Sequence, residues 1–187
     1  MEKFIRLTAR ACPLDVTNLN TDQLLPARFL KLPRAAGLGT ALLRDLRFNA
    51  AGGERPDFPL NRPAWREARI IVGARNFGCG SSREAAVYAL YDYGIRCVIA
   101  PSFGDIFAGN AAQNGLLTAA VADDAAAALT RALDETPDAP VTVDLEQQAE
   151  RQGREHGRRR YPGGIEHARG PVIAHIEEMK RAISPKE

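Results

Sequence analysis

Hydrophobic and polar positions change rhythm several times along the chain. Near the start, Phe4, Ile5, Leu7 and Ala9 alternate with polar residues, which predicts an opening strand over residues 4–12. The run Asp15-Val16-Thr17-Asn18-Leu19-Asn20-Thr21-Asp22 is rich in side chains that bond their own backbone, and predicts turns. A short apolar step, Leu24-Leu25-Pro26, leads into Ala27-Arg28-Phe29-Leu30-Lys31. Gly37 and Gly39 then interrupt the chain before a predicted helix over residues 40–47. Residues 49–63 hold Gly52, Gly53, Pro56, Pro59 and Pro63, and read as a surface loop rather than a second core.

From residue 69 the pattern becomes regular. Arg69-Ile70-Ile71-Val72-Gly73 reads as a buried strand, followed by a glycine-rich turn and a helix over residues 82–93. Cys97–Ala100 is a second buried strand, Phe103–Gln113 a helix, Leu116-Leu117 a short strand and Asp123–Leu133 an alanine-rich helix. Val141–Leu145 alternates as a strand with one exposed face. Strands alternating with helices predict an α/β layer structure. Residues 146–160 are strongly polar and end in His156-Gly157-Arg158-Arg159-Arg160, a solvated loop or a docking patch for an acidic partner. Val172, Ile173, Ile176, Met179 and Ile183 predict a closing amphipathic helix packed on the rest, so residues 1–187 read as one domain.

Composition narrows the function classes. Twenty-five Lys plus Arg against 23 Asp plus Glu leave a net charge of only +2, far from the basic surplus that nucleic-acid binding needs. The 21 Arg against 4 Lys, beside many Ala, reflect genomic composition rather than phosphate recognition. No apolar run approaches the ~20 residues of a membrane span, and Met1–Leu7 is too polar for a signal peptide. Cys12, Cys79 and Cys97 are odd in number and widely spaced, which fits a reducing cytoplasm better than a disulfide framework or a metal site. His156, His167 and His175 are scattered through the tail and read as surface or structural residues.

The richest chemistry lies in Asn76-Phe77-Gly78-Cys79-Gly80-Ser81-Ser82-Arg83-Glu84, between a buried strand and a helix start. Unpaired N–H groups and the helix dipole favour anions there. Gly78 and Gly80 clear the approach, Ser81 and Ser82 offer hydroxyls, and Arg83 offers a fork for a carboxylate. Two plainer readings compete: Ser81-x-x-Glu84 has the form of a capping box, and Gly78-x-Gly80 hints at a dinucleotide loop, although Arg83 occupies the place of its third glycine. A serine could act as a base only if its alkoxide were strongly stabilised, and N–H donors beside a guanidinium could do that. The substrate would then need an acidic C–H, such as one next to a carboxylate.

Residues Asn76–Glu84 resemble the signature of the small subunits of 3-isopropylmalate dehydratase, in the aconitase superfamily. The likeness continues through Tyr93–Phe107 and Gly109–Leu117, and upstream through Asn18–Leu30. It implies a swivelling β/β/α domain, the counterpart of the mobile C-terminal domain of aconitase. It implies Ser81 as the base, with Ser82 and Arg83 on a substrate carboxylate. A further substrate-binding arginine, twelve positions after the Thr-Asp motif, corresponds to Arg34, with Arg28 as the fallback; Asn20, Thr21 and Asp22 would shape the turn.

The family uses a [4Fe–4S] cluster to take the departing hydroxide, and Cys12, Cys79 and Cys97 lack the close pair such a cluster needs. The resemblance therefore implies a separate cluster-bearing large subunit, without which this chain is inactive. It also implies the interconversion of 2- and 3-isopropylmalate in leucine synthesis. The chain departs from the pattern at Ala85, where the family usually has His, in Pro33-Arg34-Ala35-Ala36, and in the C-terminal third. Citramalate, dimethylmalate or homoaconitate are alternative substrates. A stand-alone anion- or nucleotide-binding module and a non-catalytic regulatory paralogue are alternatives of other classes.

Overall fold

The computed structural model describes residues 5–144; the polar segment 146–160, the three histidines and the predicted helix over 172–183 lie outside the described residues. Five strands form one sheet: β1 (Arg6–Leu14), β2 (Ile70–Gly73), β3 (Cys97–Ala100), β4 (Leu117–Ala120) and β5 (Pro140–Asp144). Their order is β4-β3-β2-β1-β5, with β1 to β4 parallel and β5 antiparallel to β1. The first half of β1 pairs with β5 and stays partly exposed, while Ala11–Leu14 pair with β2 and are fully buried.

Strict alternation along the central strands separates two cores. Cys12, Leu14, Ile71, Val98 and Ala100 face one side, and Ala11, Ile70, Val72, Cys97 and Ile99 face the other. The first side is covered by α1 (Thr21–Leu24), α2 (Arg44–Arg47), α3 (Glu84–Tyr93) and α4 (Asp105–Gln113). The second is covered by α5 (Asp123–Glu135), which buries Ala126, Leu129 and Leu133, spaced to share one helical stripe. The predicted strands and the three long helices are therefore all present, in the order expected of an α/β domain.

Two expectations need correction. The helix predicted over 40–47 is broken into a 3-10 turn (Leu38–Ala41) and the single turn α2, because Leu43 sits in the left-handed region at φ 51°. Tertiary packing drives this: Leu42 and Leu43 are both fully buried, and Leu43 N–H donates to the Leu24 carbonyl at 2.8 Å. The loop over 49–63 is largely exposed, as its prolines and glycines suggest, but it is pinned to the core. Leu60 and Asn61 are buried, and so is Trp65 just beyond. Arg47, 5% exposed, donates from Nε to Asn61 Oδ1 at 3.1 Å, and Asn61 Nδ2 donates to the Arg47 and Arg55 carbonyls at 2.6 and 2.9 Å. The guanidinium lies 4.8 Å from the Tyr93 ring, and burial pulls its pKa below the ordinary arginine value.

Candidate active site

The segments that follow β1, β2 and β3 leave the sheet at the same end and run side by side. In open parallel sheets this carboxyl end is where ligands bind. Gly78 N–H donates to the Leu19 carbonyl at 2.7 Å and Thr21 N–H to the Cys79 carbonyl at 3.0 Å, tying the turn after β2 to the segment after β1. On its other flank, Phe77 N–H donates to the Ser102 carbonyl at 3.0 Å and Gly104 N–H to the Phe77 carbonyl at 2.9 Å. Asn18 and Asn76 both adopt positive φ, 57° and 60°, which asparagine tolerates better than most residues, and Asn76 Nδ2 donates to Asn18 Oδ1 at 2.8 Å.

The glycines of this turn serve close packing. Gly78 has φ 71°, and a Cβ there would lie 2.2 Å from the Phe107 ring; a Cβ on Gly104 would lie 2.7 Å from the Gly78 carbonyl oxygen. Phe77 packs against the rings of Phe103 and Phe107 at centroid distances of 6.3 and 5.6 Å. The turn is thus held rigidly from beneath while its tip stays open. Ser81 and Ser82 are exposed. The Ser81 carbonyl accepts from Thr21 Oγ1 at 2.8 Å, which fixes the backbone and leaves the side chain outward.

Helix α3 begins after Arg83, its N-cap, and no side chain caps it. The capping box read from Ser81-x-x-Glu84 is not formed, because the helix starts too late for Ser81 to reach its first turn. Glu84 instead accepts from Asn114 Nδ2 at 2.9 Å. First-turn N–H groups thus lack a side-chain cap beside the two serines, which favours an anion there. Arg83 is largely buried, with a side chain 17% exposed, and its Nη2 lies 2.6 Å from Asp22 Oδ1. Its Nη1 is fully buried and has no hydrogen-bond partner among the described residues.

Sequence reasoning placed Asp22 only as a turn-shaper. The structure puts it on the guanidinium, at the start of α1, where Asn20 and Gln23 form a reciprocal capping box. The spacing Asn20-x-x-Gln23 was the available signal. Arg34 opens a 3-10 turn spanning Arg34–Ala36. Arg28 is committed elsewhere: it makes a two-pronged pair with Asp45 and stacks 4.7 Å from the Phe29 ring. Two grooves, of about 640 Å³ beside Arg28, Arg44 and Arg55 and about 790 Å³ beside Asp57, Arg62 and Trp65, include no residue of the 76–83 turn.

The three cysteines cannot converge. Cys12 and Cys97 face opposite sides of the sheet, and burial pushes both thiols far above the usual cysteine range. Cys79 is half-buried in the turn, donating from Sγ to the Asn18 carbonyl at 3.3 Å. Among the described residues no group of three His, Cys, Asp or Glu could hold a metal ion. Brief treatment of the native chain with iodoacetamide should label Cys79 and leave Cys12 and Cys97 unmodified until unfolding, as read by peptide mass spectrometry. Among the described residues, no helix is long and apolar enough to cross a membrane.

A family model described as the aconitase C-terminal domain matches residues 1–124. The 3-isopropylmalate dehydratase small subunit of Rhodospirillum centenum is 53% identical over 148 residues, 79% of this chain and 73% of the relative. That of Dinoroseobacter shibae is 49% identical over 148 residues, 79% of this chain and 74% of the relative. Among solved structures, the 3-isopropylmalate dehydratase of Methanocaldococcus jannaschii superposes with a TM-score of 0.56 at 28% identity, covering 95% of this chain and 97% of that one.

Proposed function

This chain belongs to the aconitase C-terminal domain family, among the small subunits of 3-isopropylmalate dehydratase, and from that premise we propose that it completes a two-subunit hydro-lyase interconverting 2- and 3-isopropylmalate. The reaction removes water across two adjacent carbons and adds it back with the opposite orientation. A base takes the proton next to a carboxylate, hydroxide leaves the neighbouring carbon, and the alkene formed is rehydrated to the isomer.

The observation that carries this reading is an exposed Ser81 two residues before a largely buried Arg83, at a helix start that no side chain caps. Ser81 takes and returns the proton, its alkoxide favoured by the nearby positive end of α3 and by the guanidinium. Ser82 and Arg83 hold one substrate carboxylate, charge-assisted on the Arg83 side. Arg34, twelve positions beyond Asp22, holds the second by correspondence with the family.

Departure of hydroxide needs an electron-pair acceptor. Cys12 and Cys97 face opposite sides of the sheet and Cys79 lies in the turn beyond it, so the three do not fit a [4Fe–4S] cluster. That group, the Lewis acid of the reaction, belongs in our reading to the large subunit. The large subunit then covers the face bearing Ser81 and Arg83, in the cytoplasm, with neither nucleic acid nor membrane as a partner.

Reconstitution tests the proposal. The purified chain alone should show no turnover, a cluster-loaded large subunit alone none, and the mixture should convert each isopropylmalate into the other. Citramalate, dimethylmalate and homoaconitate, assayed in parallel, should be turned over more slowly. Preference for one of these would move the substrate while keeping the reaction; no turnover of any would remove the proposal.

A further inference from the structure

The structure assigns Asp22 as the residue that positions Arg83 for substrate. This inference rests on the reading that Arg83 binds a carboxylate, and adds to it the group that holds the guanidinium ready. An arginine side chain carries much rotamer freedom, so a binding site that leaves it loose loses affinity when it orders.

Here the ordering is done within the folded chain. Asn20 caps α1, with its Oδ1 accepting from Gln23 N–H at 2.8 Å and its own N–H donating to Gln23 Oε1 at 2.9 Å. Thr21 ties the same turn to the signature loop at both the Cys79 and Ser81 carbonyls. Asp22, the next residue, is therefore carried on backbone fixed to the very turn that bears Arg83. Its Oδ1 holds Nη2 at 2.6 Å.

The pairing is one-sided. Asp22 engages Nη2, while Nη1 is buried and finds no acceptor among the described residues. Nη1 has no access to solvent, so substrate meets the part of the Arg83 side chain that stays open, 17% of its surface. Asp22 thus holds the guanidinium in place while part of the Arg83 side chain stays open for the substrate. In this assignment Asp22 acts through Arg83, its ion-pair partner, and so is a positioning residue.

The test uses the assembled two-subunit enzyme. Asp22→Ala is expected to raise KM by about threefold to tenfold, from the cost of ordering one long side chain on binding, with kcat changed less. Asp22→Glu should recover part of the loss. In an Arg83→Ala background, Asp22→Ala should change KM no further, because the side chain it positions is gone. A merely structural role would lower thermal stability without this dependence on Arg83. An unchanged or lowered KM for Asp22→Ala, or losses that multiply in the double variant, would overturn the inference. Arg83→Ala alone separates the two layers: a raised KM there with none for Asp22→Ala sinks only the positioning role. An unchanged KM for Arg83→Ala sinks the carboxylate reading and this inference with it.

Discussion

Replacing Ser81 with Ala should lower kcat of the assembled enzyme by about 10²- to 10⁴-fold, the range that a positioned general base contributes. KM and subunit assembly should stay close to those of the parent. The expectation follows from where the side chain stands. Ser81 is exposed, and its backbone carbonyl, not its hydroxyl, accepts from Thr21. Removing the hydroxyl therefore deletes no internal bond of the fold, and an exposed substitution of this kind shifts stability by no more than about 0.5 kcal/mol. The loss would fall on proton transfer alone. Exchange of the substrate α-hydrogen with deuterated solvent should slow in parallel with kcat. Retention of turnover within tenfold of the parent, with the fold intact, would remove Ser81 as the base. Ser82→Ala should behave differently, raising KM more than it lowers kcat, since Ser82 is assigned to binding.

Local pattern carried most of the architecture because the elements concerned are locally consistent. Continuous apolar runs such as Ile70-Ile71-Val72 and Cys97–Ala100 have no polar face to confuse them, and both are buried central strands. The helices α3 and α4 each follow a break containing glycine and serine, and α5 opens on Asp123-Asp124. What pattern could not reveal depends on partners distant in sequence. Leu43 takes a left-handed backbone because the Leu24 carbonyl at the end of α1 captures its N–H, 19 residues away. Asn61 is buried in a largely exposed loop because Arg47, 14 residues earlier, supplies its partner. Arg28 was a fair candidate for substrate until Asp45 appeared opposite it.

The candidate site divides along the same line. Ser81, Ser82 and Arg83 stand out in the sequence because chemistry, glycines and a strand-to-helix switch coincide within a few residues. The capping box that Ser81-x-x-Glu84 offers locally does not form, because Glu84 accepts from Asn114, at another helix terminus 30 residues on. Asp22 lies 61 residues before Arg83, and only the convergence of the segments after β1 and β2 brings the two together.

Gly78→Ala should cost about 2–5 kcal/mol of stability, the sum of a left-handed backbone for a residue with a side chain and the overpacking of a full core. The new methyl would meet the Phe107 ring at 2.2 Å, and Phe107 is only 2% exposed, walled in by Phe77 and unable to swing out. Gly80→Ala is the internal control. It shares a positive φ, 90°, but its Cβ would meet nothing closer than Asn20 Cβ at 3.6 Å, so it carries the backbone cost without the clash. Thermal unfolding should therefore separate the two variants, with Gly78→Ala melting lower. Partial restoration by Phe107→Leu in the Gly78→Ala background would identify the ring as the cause. The Gly78 carbonyl and Cys79 lie against Gly104, so the turn can escape the clash only by moving outward. That movement would carry Cys79, Gly80 and Ser81 with it, and activity of the assembled enzyme should fall even at temperatures where Gly78→Ala remains folded. Equal melting of the two glycine variants would mean that the turn tip yields freely, and the rigid support argued for Ser81 would be lost.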